Sequence, residues 1–475
     1  MLISEFEIIA GVLVFVVGSL LTTIGAGHAL LNKRDPRSAL AWIAMCIALP
    51  FIGVLLYYVF GKNRIRTRAQ KMTPGIERVA NPPQNQFKQA TVRTDYRNLA
   101  RLSAASSQRP LLAGNNIEPL YNGDLAYPAM LQAIDNAQST IYLATYIFES
   151  RNIGRRFIEA LAAAHRRGVL VKVLIDGVGE KYNLPFASGQ LSNVGIDVAL
   201  YLPPTLLPPN LTINLRNHRK LLLIDGEIGF TGGMNIRQNH LNLNNRNGFK
   251  DIHFSISGPV LSQLEQVFVG DWLFTTGQQL PFEREKFHTF FEQDMACRVL
   301  LEGPNEDVDK LTWVLVGALS LAQDSILIMT PYFLPSRELE VALQTAALRG
   351  VDVSIILPAR NNLPFMTWAT THVLPSLLST GVKIYSIPGP FVHSKLFVVD
   401  DYYVQLGSSN LDPRSLRLNF ELVVEVYDQP FGEKMAAHAR ECIAHSHAIT
   451  SEELSKHGLW RRIRNAFFWL FSPYL

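Results

Sequence analysis

One short pattern occurs twice in this chain of 475 residues, and it constrains the fold more than any other feature. The first copy is HRKLLLID at 218–225 and the second is HSKLFVVD at 393–400, so both have the spacing H-x-K-x4-D. Each copy is followed at the same distances by a Gly and then an Asn: Gly232 and Asn235, Gly407 and Asn410. Two long matches of this kind exceed coincidence and indicate a duplicated structure.

The surrounding sequence repeats as well. STIYLATYIF at 139–148 corresponds to DSILIMTPYF at 324–333, and the segment 157–176 corresponds to 339–358. Each set has the pattern of a strand, an amphipathic helix and a buried strand. This alternation predicts the α/β class, with one layered domain duplicated and packed against its copy around one active site.

The residue types in the repeated motif suit a phosphodiester. His and Lys stand two apart on an extended segment, so both side chains point to the same face. Two facing halves therefore supply two imidazoles, two ammonium groups and two carboxamides. We expect Lys220, Lys395, Asn235 and Asn410 to hold phosphate oxygens. One histidine of His218 and His393 would attack phosphorus while the other moves protons.

A carboxylate follows each motif on a later strand, Asp251 in FKDIHFSI and Glu421 in NFELVVEV. A histidine that must keep one tautomer needs such a partner on its second nitrogen. We predict pairing within each half, Asp251 with His218 and Glu421 with His393; the alternative is a pair of exposed strand carboxylates. The motif aspartates, Asp225 and Asp400, belong to the catalytic signature but are expected to brace loops rather than touch substrate.

The duplicated motif resembles the phospholipase D superfamily over about 111–448, and LDPRSLRLNFE at 411–421 is similar to bacterial cardiolipin synthases. The resemblance implies one metal-free active site without cofactor, with His218 as the nucleophile that forms a phosphohistidine and His393 as the general acid and base. It also implies phosphatidyl transfer between two phosphatidylglycerol molecules, giving cardiolipin and glycerol. One departure is Gly233, which stands where the second copy has Ser408.

Other functions share this motif. A phospholipase D, or a phosphatidyltransferase that resembles phosphatidylserine synthase or uses phosphatidylethanolamine, would need the same residues. A membrane-anchored nuclease and an inactive scaffold are further alternatives. Residues 111–475 carry a net charge of −5, which argues against a nucleic-acid partner, because a nuclease should carry positive charge around its site. The partners we expect are phosphatidylglycerol and other anionic lipids.

The N-terminal region predicts membrane attachment. Residues 8–31 and 38–60 contain no Asp, Glu, Lys or Arg, and each is long enough to cross a bilayer, so 1–60 is expected to form a transmembrane hairpin. Residues 61–110 carry a net charge of +9 and are expected to be a basic linker beside anionic lipid. Five basic residues follow the second span and three lie between the spans, which favours a multi-pass protein of the bacterial inner membrane with a cytoplasmic catalytic body.

The remaining boundaries follow from the repeat. We place the first half at 111–277, a connector at 278–297 and the second half at 298–448. The tail, 449–475, contains the amphipathic sequence LWRRIRNAFFWLFSPYL from 459 onward. This tail is expected to be an interfacial helix or to dock on the catalytic body.

Overall fold

The computed structural model describes residues 2–33, 35–61, 90–204, 214–241, 248–281, 294–304 and 308–472. The chain divides into two compact units, Met1–Arg68 and Ala69–Leu475. Of the predicted basic linker, residues 62–89 lie outside the described residues, as does most of the predicted connector.

The first unit begins with a long apolar helix, α1 (Leu2–Asn32). Its segment Ile9–Asn32 has 24 residues and is the one helix, among those described, that is long and apolar enough to cross a membrane. By length and composition, this helix agrees with the first predicted span. At ~1.5 Å per residue it reaches roughly 36 Å, against a hydrocarbon core of about 30 Å.

The second predicted span, 38–60, is not one continuous helix. It is divided into α2 (Pro36–Ala48), α3 (Ile52–Leu56) and a π-helical turn at Tyr57–Gly61. Pro50 explains the break, because it has no N–H and its ring clashes with the carbonyl four residues earlier. That carbonyl, on Cys46, accepts a hydrogen bond from Thr22 Oγ1 of α1 at 3.1 Å. The described structure thus supports one full-length span and a broken second helix that packs on it.

The catalytic unit is built on seventeen strands within the described residues. In chain order they are β1 (Leu112–Tyr121), β2 (Thr140–Thr145), β3 (Leu170–Asp176), β4 (Asp197–Tyr201), β5 (Leu221–Ile224), β6 (Ile228–Gly232), β7 (Phe249–Lys250), β8 (Ile252–Ser257), β9 (Met295–Glu302), β10 (Ser325–Met329), β11 (Asp352–Pro358), β12 (Lys383–Ile387), β13 (Phe391–Val392), β14 (Leu396–Val399), β15 (Tyr403–Gly407), β16 (Glu421–Tyr427) and β17 (His447–Ile449).

Helices cover the sheet formed by these strands. They are α4 (Arg97–Ser107), α5 (Asn122–Asn136), α6 (Ile153–Arg166), α7 (Ala187–Asn193), α8 (Val260–Thr276), α9 (Lys310–Leu321), α10 (Arg337–Leu348), α11 (Pro364–Leu378), α12 (Pro413–Arg417), α13 (Gln429–Ala444), α14 (Ser451–Ser455) and α15 (Leu459–Trp469).

Fifteen of the strands form one sheet in the order β17-β12-β11-β10-β14-β15-β16-β9-β1-β8-β6-β5-β2-β3-β4. Apart from the edge strand β17, the order is the same on both sides of the β9–β1 pair, because β10, β14, β15 and β16 correspond to β2, β5, β6 and β8. In each half the strands far from this pair run parallel, except that β17 is antiparallel to β12, and the strands nearer to it run antiparallel. The predicted duplicated α/β fold is confirmed, and the two halves join edge to edge in a continuous sheet.

The described end of the predicted linker belongs to the catalytic unit. α4 begins at Arg97, and Tyr96 and Leu99 are buried in the core of the second half. The side chain of Arg93 lies over the ring of Tyr402 and pairs with Asp95 at 2.6 Å. These residues are therefore structural, so the description of 61–110 as a linker does not hold from Arg93 onward.

The two motif aspartates hold the far ends of their strands. Asp225 accepts backbone hydrogen bonds from residues 138–140 at 2.7–2.8 Å, at the start of β2. Asp400 does the same for residues 323–325, at the start of β10, and accepts the Tyr96 hydroxyl at 3.0 Å. Each lies seven residues beyond its motif histidine, roughly 20 Å along an extended chain. Their inclusion among the catalytic residues is therefore wrong, and the bracing role is the one the structure supports.

Replacing Asp400 with Ala should destabilise the fold without removing catalysis. The change leaves three backbone N–H groups without their acceptor and leaves the Tyr96 hydroxyl with only a long hydrogen bond to the Val399 carbonyl at 3.4 Å, so we expect the free energy of unfolding to fall by about 2–3 kcal/mol. Guanidinium titration of the purified protein in detergent measures this loss. Activity per folded molecule should stay within about twofold of the wild type. A stable but inactive variant would return Asp400 to the chemistry.

Candidate active site

At the junction of the two halves, the short segment before each motif pairs with the opposite half; we call this arrangement the exchange of segments. Just before the first motif, Asn217 forms a parallel bridge with Phe420 of the second half, and the His218 N–H donates to the Phe420 carbonyl at 2.9 Å. Just before the second motif, β13 pairs in parallel with β7 of the first half, and the His393 N–H donates to the Lys250 carbonyl at 2.7 Å. Each histidine is therefore held beside the residue that precedes the other half's carboxylate.

This exchange reverses the predicted pairing of histidines and carboxylates. His218 Nδ1 lies 2.9 Å from Oε1 and 3.0 Å from Oε2 of Glu421. His393 Nδ1 lies 2.8 Å from Oδ2 of Asp251. The predicted pairs, Asp251 with His218 and Glu421 with His393, are wrong. The two carboxylates that contact the histidines are the predicted ones, Asp251 and Glu421. Each histidine contacts the carboxylate of the opposite half, because the segment before its motif strand pairs with that half.

Both carboxylates are buried and have further partners. Glu421 also accepts the Ser408 hydroxyl at 2.6 Å. The side chain of Asp251 accepts a hydrogen bond from the backbone N–H of the next residue, Ile252, at 2.9 Å. Gly233 lies against Asp251, because a Cβ at Gly233 would come within 2.7 Å of its Oδ1. The first half therefore needs glycine where the second half has Ser408.

The motif lysines are buried beside their own histidines. Lys220 Nζ donates to the His218 carbonyl at 2.5 Å, and Lys395 Nζ donates to the His393 carbonyl at 2.7 Å. Burial lowers the pKa of Lys220 to about 7 and that of Lys395 to about 8. Each ammonium keeps further hydrogen-bonding capacity for an anion.

The motif asparagines are also buried, with different partners. Asn235 Oδ1 accepts the Ile147 N–H at 3.1 Å. Asn410 Nδ2 donates to Ser415 Oγ at 3.1 Å. Asn410 Oδ1 has no hydrogen-bond partner in the described part of the chain. Both residues lie near their motifs, and their binding of phosphate oxygens stays a prediction.

Burial keeps the two histidines neutral in the substrate-free site. Desolvation, followed by the charges of Lys220 and Lys395, lowers the pKa of His218 well below its usual range. The pKa of His393 is lowered by desolvation and by the charges of Lys395 and Lys220. Burial raises the pKa of Glu421 to about 7. The site therefore combines two neutral rings with groups that titrate near neutral pH.

Sequence analysis missed several neighbours of the two histidines. The ring of Tyr146 meets His218 edge-on at 5.2 Å between centroids. A third histidine, His240, lies 5.9 Å from His393 between centroids, with its Nδ1 3.8 Å from Asp251. Tyr146 stands in the repeat STIYLATYIF, so its position offered a signal. His240 offered none, because its neighbourhood has no counterpart histidine in the second half.

In the described ranges, no three His, Cys, Asp or Glu side chains are grouped so that they could hold a metal ion. Independence from metal and cofactor stays a prediction from the motif. The residues present supply a nucleophile and fixed positive charge from the chain itself.

Comparison with known proteins agrees with this geometry. A family model described as "Cardiolipin synthase, PLD-like domain" matches residues 130–272 and 315–443, and one described as "Phospholipase_D-nuclease N-terminal" matches 13–62. The major cardiolipin synthase of Bacillus subtilis is 30% identical, with 94% of this chain and 95% of that protein covered. Cardiolipin synthase A of Serratia proteamaculans is 32% identical, with 94% of each chain covered.

A solved structure supports the fold. The phosphatidylserine synthase of Haemophilus influenzae matches with a TM-score of 0.64 and 18% identity, over 80% of this chain and 100% of that one. At 18% identity, the match supports a similarity of fold alone. Fold and site thus define a protein of the two-motif phospholipase D type. The chain belongs to the cardiolipin synthase family of phospholipase D-like proteins, as its sequence resemblance predicted.

The buried His240 should make stability depend on pH. Burial lowers its pKa to about 3, below the ordinary value of about 6.5 that it regains on unfolding. Between these values the unfolded chain binds more protons, so the folded state loses stability as pH falls. The wild type should lose about 2 kcal/mol to this group between pH 7.5 and pH 5.

A His240→Gln variant isolates that loss. The difference in free energy of unfolding between wild type and variant should shift by about 2 kcal/mol over this pH range, in favour of the variant at pH 5. Guanidinium titrations at both pH values measure it. A difference that does not change with pH would mean that His240 binds a proton in the folded state.

Proposed function

We propose that this protein is a cardiolipin synthase that transfers a phosphatidyl group from one phosphatidylglycerol to the terminal hydroxyl of another and releases glycerol. The observation that carries the proposal is the pair of buried histidines, each with Nδ1 on a carboxylate of the opposite half and each beside a buried lysine. The names of the near full-length relatives supply the product, cardiolipin, and the motif resemblance supplies phosphatidylglycerol as the substrate.

The carboxylates prepare the histidines for the reaction. In its ionised form, each carboxylate can only accept a hydrogen bond, so it holds the ring proton of the neutral histidine at Nδ1. The lone pair of Nε2 of His218 is then available for attack, and Nε2 of His393 lies 3.3 Å from Lys395 Nζ. In the first step, Nε2 of His218 attacks phosphorus, the bond from phosphorus to the glycerol oxygen breaks, and His393 gives that oxygen a proton.

His393 must gain its proton before this step. In the substrate-free site, burial and the two lysine charges depress its pKa. The anionic phosphodiester offsets the repulsion from Lys395 and Lys220 and therefore raises the pKa of His393 when substrate binds. Binding of the anionic substrate thus favours protonation of His393, the general acid of the first step.

The second step reverses these roles. Neutral His393 accepts the proton of the second lipid's terminal hydroxyl, whose oxygen attacks phosphorus, and the bond to His218 breaks. Cardiolipin leaves and the starting protonation states return. Lys220 and Lys395 hold the phosphoryl oxygens in both steps.

We assign the membrane contacts as follows. The N-terminal unit anchors the chain in the bacterial inner membrane with the catalytic unit on the cytoplasmic side, and α2 and α3 complete the second pass beside α1. The proposal rests on the apolar α1 and on the larger number of basic residues after the second apolar segment. Those basic residues, at 62–71, lie outside the described structure.

The C-terminal helix α15 combines both roles expected of the tail. One face packs on α11, where Phe468 meets Trp368 at 4.8 Å between ring centroids and Arg464 lies over the same Trp368 ring. The outer face leaves large apolar side chains exposed, with Trp460 83% and Phe467 53% accessible. Apolar side chains beside Arg461 and Arg462 suit the interface of an anionic membrane.

The reaction assignment is tested by separating its two steps. His218→Ala should abolish both glycerol release and cardiolipin formation. His393→Ala should lower the overall rate by about 10²–10⁴-fold, yet trap a small amount of phosphatidyl-enzyme on His218 after acid quench. Glu421→Gln should behave like His218→Ala, because Glu421 orients His218. Asp251→Asn should behave like His393→Ala, because Asp251 orients His393.

Label on His393 in the wild type would reverse the two roles. Lipid products after expression in a host that lacks cardiolipin test the proposal itself. Phosphatidic acid alone would indicate a phospholipase D. Phosphatidylserine, or a product formed from phosphatidylethanolamine, would indicate another phosphatidyltransferase.

The membrane role of α15 gives a separate prediction. The double variant Trp460→Gln, Phe467→Gln should lose about tenfold or more of its activity on vesicles, since the transfer of two large exposed apolar side chains into the membrane interface contributes a few kcal/mol. Activity on short-chain phosphatidylglycerol in detergent should be unchanged. Leu348→Gln, which alters a side chain 72% exposed on α10, is the matched control. Equal losses on both substrates would make the helix purely structural.

A further inference from the structure

A third histidine, His240, lies beside the carboxylate that orients His393. The side chain of His240 is 1% exposed, and its Nδ1 is 3.8 Å from Oδ2 of Asp251. The turn that carries His240 is held by Tyr127, whose hydroxyl donates to the Asn235 carbonyl at 2.7 Å. His240 therefore has a fixed place between a motif asparagine and the carboxylate of the general acid and base.

The contacts of His240 determine which of its ring nitrogens carries the proton. Its Nε2 accepts the Asn235 N–H at 3.4 Å. Burial lowers the pKa of His240 to about 3, so the ring is neutral and has one donor and one acceptor. The proton is therefore on Nδ1, the nitrogen that faces Asp251. Among the described residues this Nδ1 has no hydrogen-bond partner, since 3.8 Å is too long for one. A buried donor without an acceptor costs stability, so its presence indicates a role in function.

Two histidines thus face the same oxygen of Asp251. Oδ2 accepts the Nδ1–H of His393 at 2.8 Å, and the rings of His393 and His240 lie 5.9 Å apart between centroids. The Nδ1–H of His240 brings the positive end of a dipole near this oxygen. A dipole that stabilises the carboxylate weakens the attraction of the carboxylate for a neighbouring imidazolium. His240 therefore competes with His393 for the charge of Asp251.

The second half has a corresponding residue. His240 is five residues after Asn235, and Ser415 is five residues after Asn410. Ser415 Oγ accepts from Asn410 Nδ2 at 3.1 Å. Burial raises the pKa of Glu421 to about 7, and a hydrogen bond from Ser415 opposes that rise. In both halves, this position connects the motif asparagine with the carboxylate that orients a histidine.

The two carboxylates nevertheless have different donors. Glu421 accepts a second hydroxyl, that of Ser408, at 2.6 Å. Asp251 has no such hydroxyl, because Gly233 stands in the place of Ser408 and lies against the carboxylate. The Nδ1–H of His240 supplies part of this missing stabilisation to Asp251.

The proposed second step needs such a donor. While the anionic phosphoryl group is bound, its charge and that of Asp251 both favour the imidazolium form of His393. His393 must nevertheless become neutral in order to accept the proton of the second lipid's hydroxyl. A group that both donates and accepts a proton works best when its proton affinity is matched to the operating pH. A dipole that weakens the attraction of Asp251 for the imidazolium therefore assists the second step.

We propose that His240 is a positioning residue for the second step: its Nδ1–H, directed at Asp251, limits the attraction of that carboxylate for the His393 imidazolium and so keeps His393 able to act as a base. His240 acts through Asp251 and stays neutral throughout. The inference rests on the proposed function and deepens it, because it names the group that helps to return His393 to its neutral form.

Other charged and titratable groups also surround the two rings. The pKa of His393 responds first to burial and then to the charges of Lys395, Lys220, His218 and Arg237, with Asp251 as its hydrogen-bond partner. The pKa of His240 responds first to burial and then to Asp251, His393, Lys395 and His253. Variants of His240 leave all of these groups in place, so the difference between variant and wild type reports His240 alone.

Three variants of His240 separate its two contacts. His240→Gln can place its carbonyl near the position of Nε2 and accept the Asn235 N–H, but it has no donor at the position of Nδ1. His240→Phe keeps a ring and has neither group. His240→Asn can place its amide N–H near the position of Nδ1, facing Asp251. The first two variants should therefore lose the effect on His393, and the third should retain part of it.

The test measures cardiolipin formation against pH, with the full-length enzyme in detergent and short-chain phosphatidylglycerol. Loss of the donor raises the pKa of His393, so the acid limb of the profile should move to higher pH by about 0.5–1 unit in His240→Gln and His240→Phe. At about pH 6 this shift lowers the rate roughly three- to tenfold. More phosphatidyl-enzyme should then be trapped by acid quench, because the second step is the slowed one. His240→Asn should shift by less than half as much.

A matched control removes another histidine that is partly buried. His438 on α13 stacks on Tyr121 at 4.9 Å between ring centroids and lies 3.7 Å from Cys442 Sγ, outside the site. His438→Gln should keep the wild-type profile. Circular dichroism at each pH shows that a variant is folded. If either His240→Gln or His240→Phe does not fold, the other still decides the result.

The outcomes separate this inference from the proposed function. The inference is overturned if the acid limb stays in place or moves to lower pH in the folded variants without the donor, or if His240→Asn shifts as far as they do. If the wild type releases glycerol but forms no cardiolipin, the proposed function fails. The pH profile of phosphatidic acid formation then tests His240 in the same variants, since water also needs His393 as a base.

Discussion

The catalytic centre depends on the exchange of chain segments between the two halves. The parallel pairing of Asn217 with Phe420, and of β13 with β7, carries each motif histidine across the junction to the other half's carboxylate. Neither histidine would have its oriented tautomer if its half stood alone. The continuous sheet through β1 and β9 then fixes the distance between the halves, so the sheet and the exchanged segments together set the position of both rings.

The exchanged pairs are not equivalent, and the differences fit different tasks. Glu421 is held by the hydroxyl of Ser408, whereas Asp251 is packed against the bare backbone of Gly233 and has His240 beside it. The shorter aspartate and the glycine belong together, since a side chain at Gly233 would collide with the carboxylate. The carboxylate at His218 accepts a further hydrogen bond from a hydroxyl, while the pair at His393 has an additional imidazole at its side.

The repeat made much of this architecture predictable. Two matching motifs, each with its own strand–helix–strand unit, were enough to predict a duplicated α/β fold and to identify the histidines, lysines and carboxylates. The partner of each histidine was not predictable, because internal symmetry permits pairing within or between halves equally well. The break at Pro50 follows from the chemistry of proline, whereas the absence of charge over 38–60 predicts only that the segment is apolar. Tyr146 and His240 contact the motif histidines only in the folded chain, and a linear motif does not show such contacts.

The exchange also bears on how such a chain could arise. Half of the molecule carries a histidine without the carboxylate that serves it, so a chain of that size could complete the site only by pairing with an identical copy around a two-fold axis. In such a homodimer every substitution appears in both copies, so the two halves of the site stay identical. Fusion into a single polypeptide removes that restriction. Ser408 and Gly233, and likewise Glu421 and Asp251, then become free to diverge, so that an ancestral symmetric site can bind two lipids in different roles.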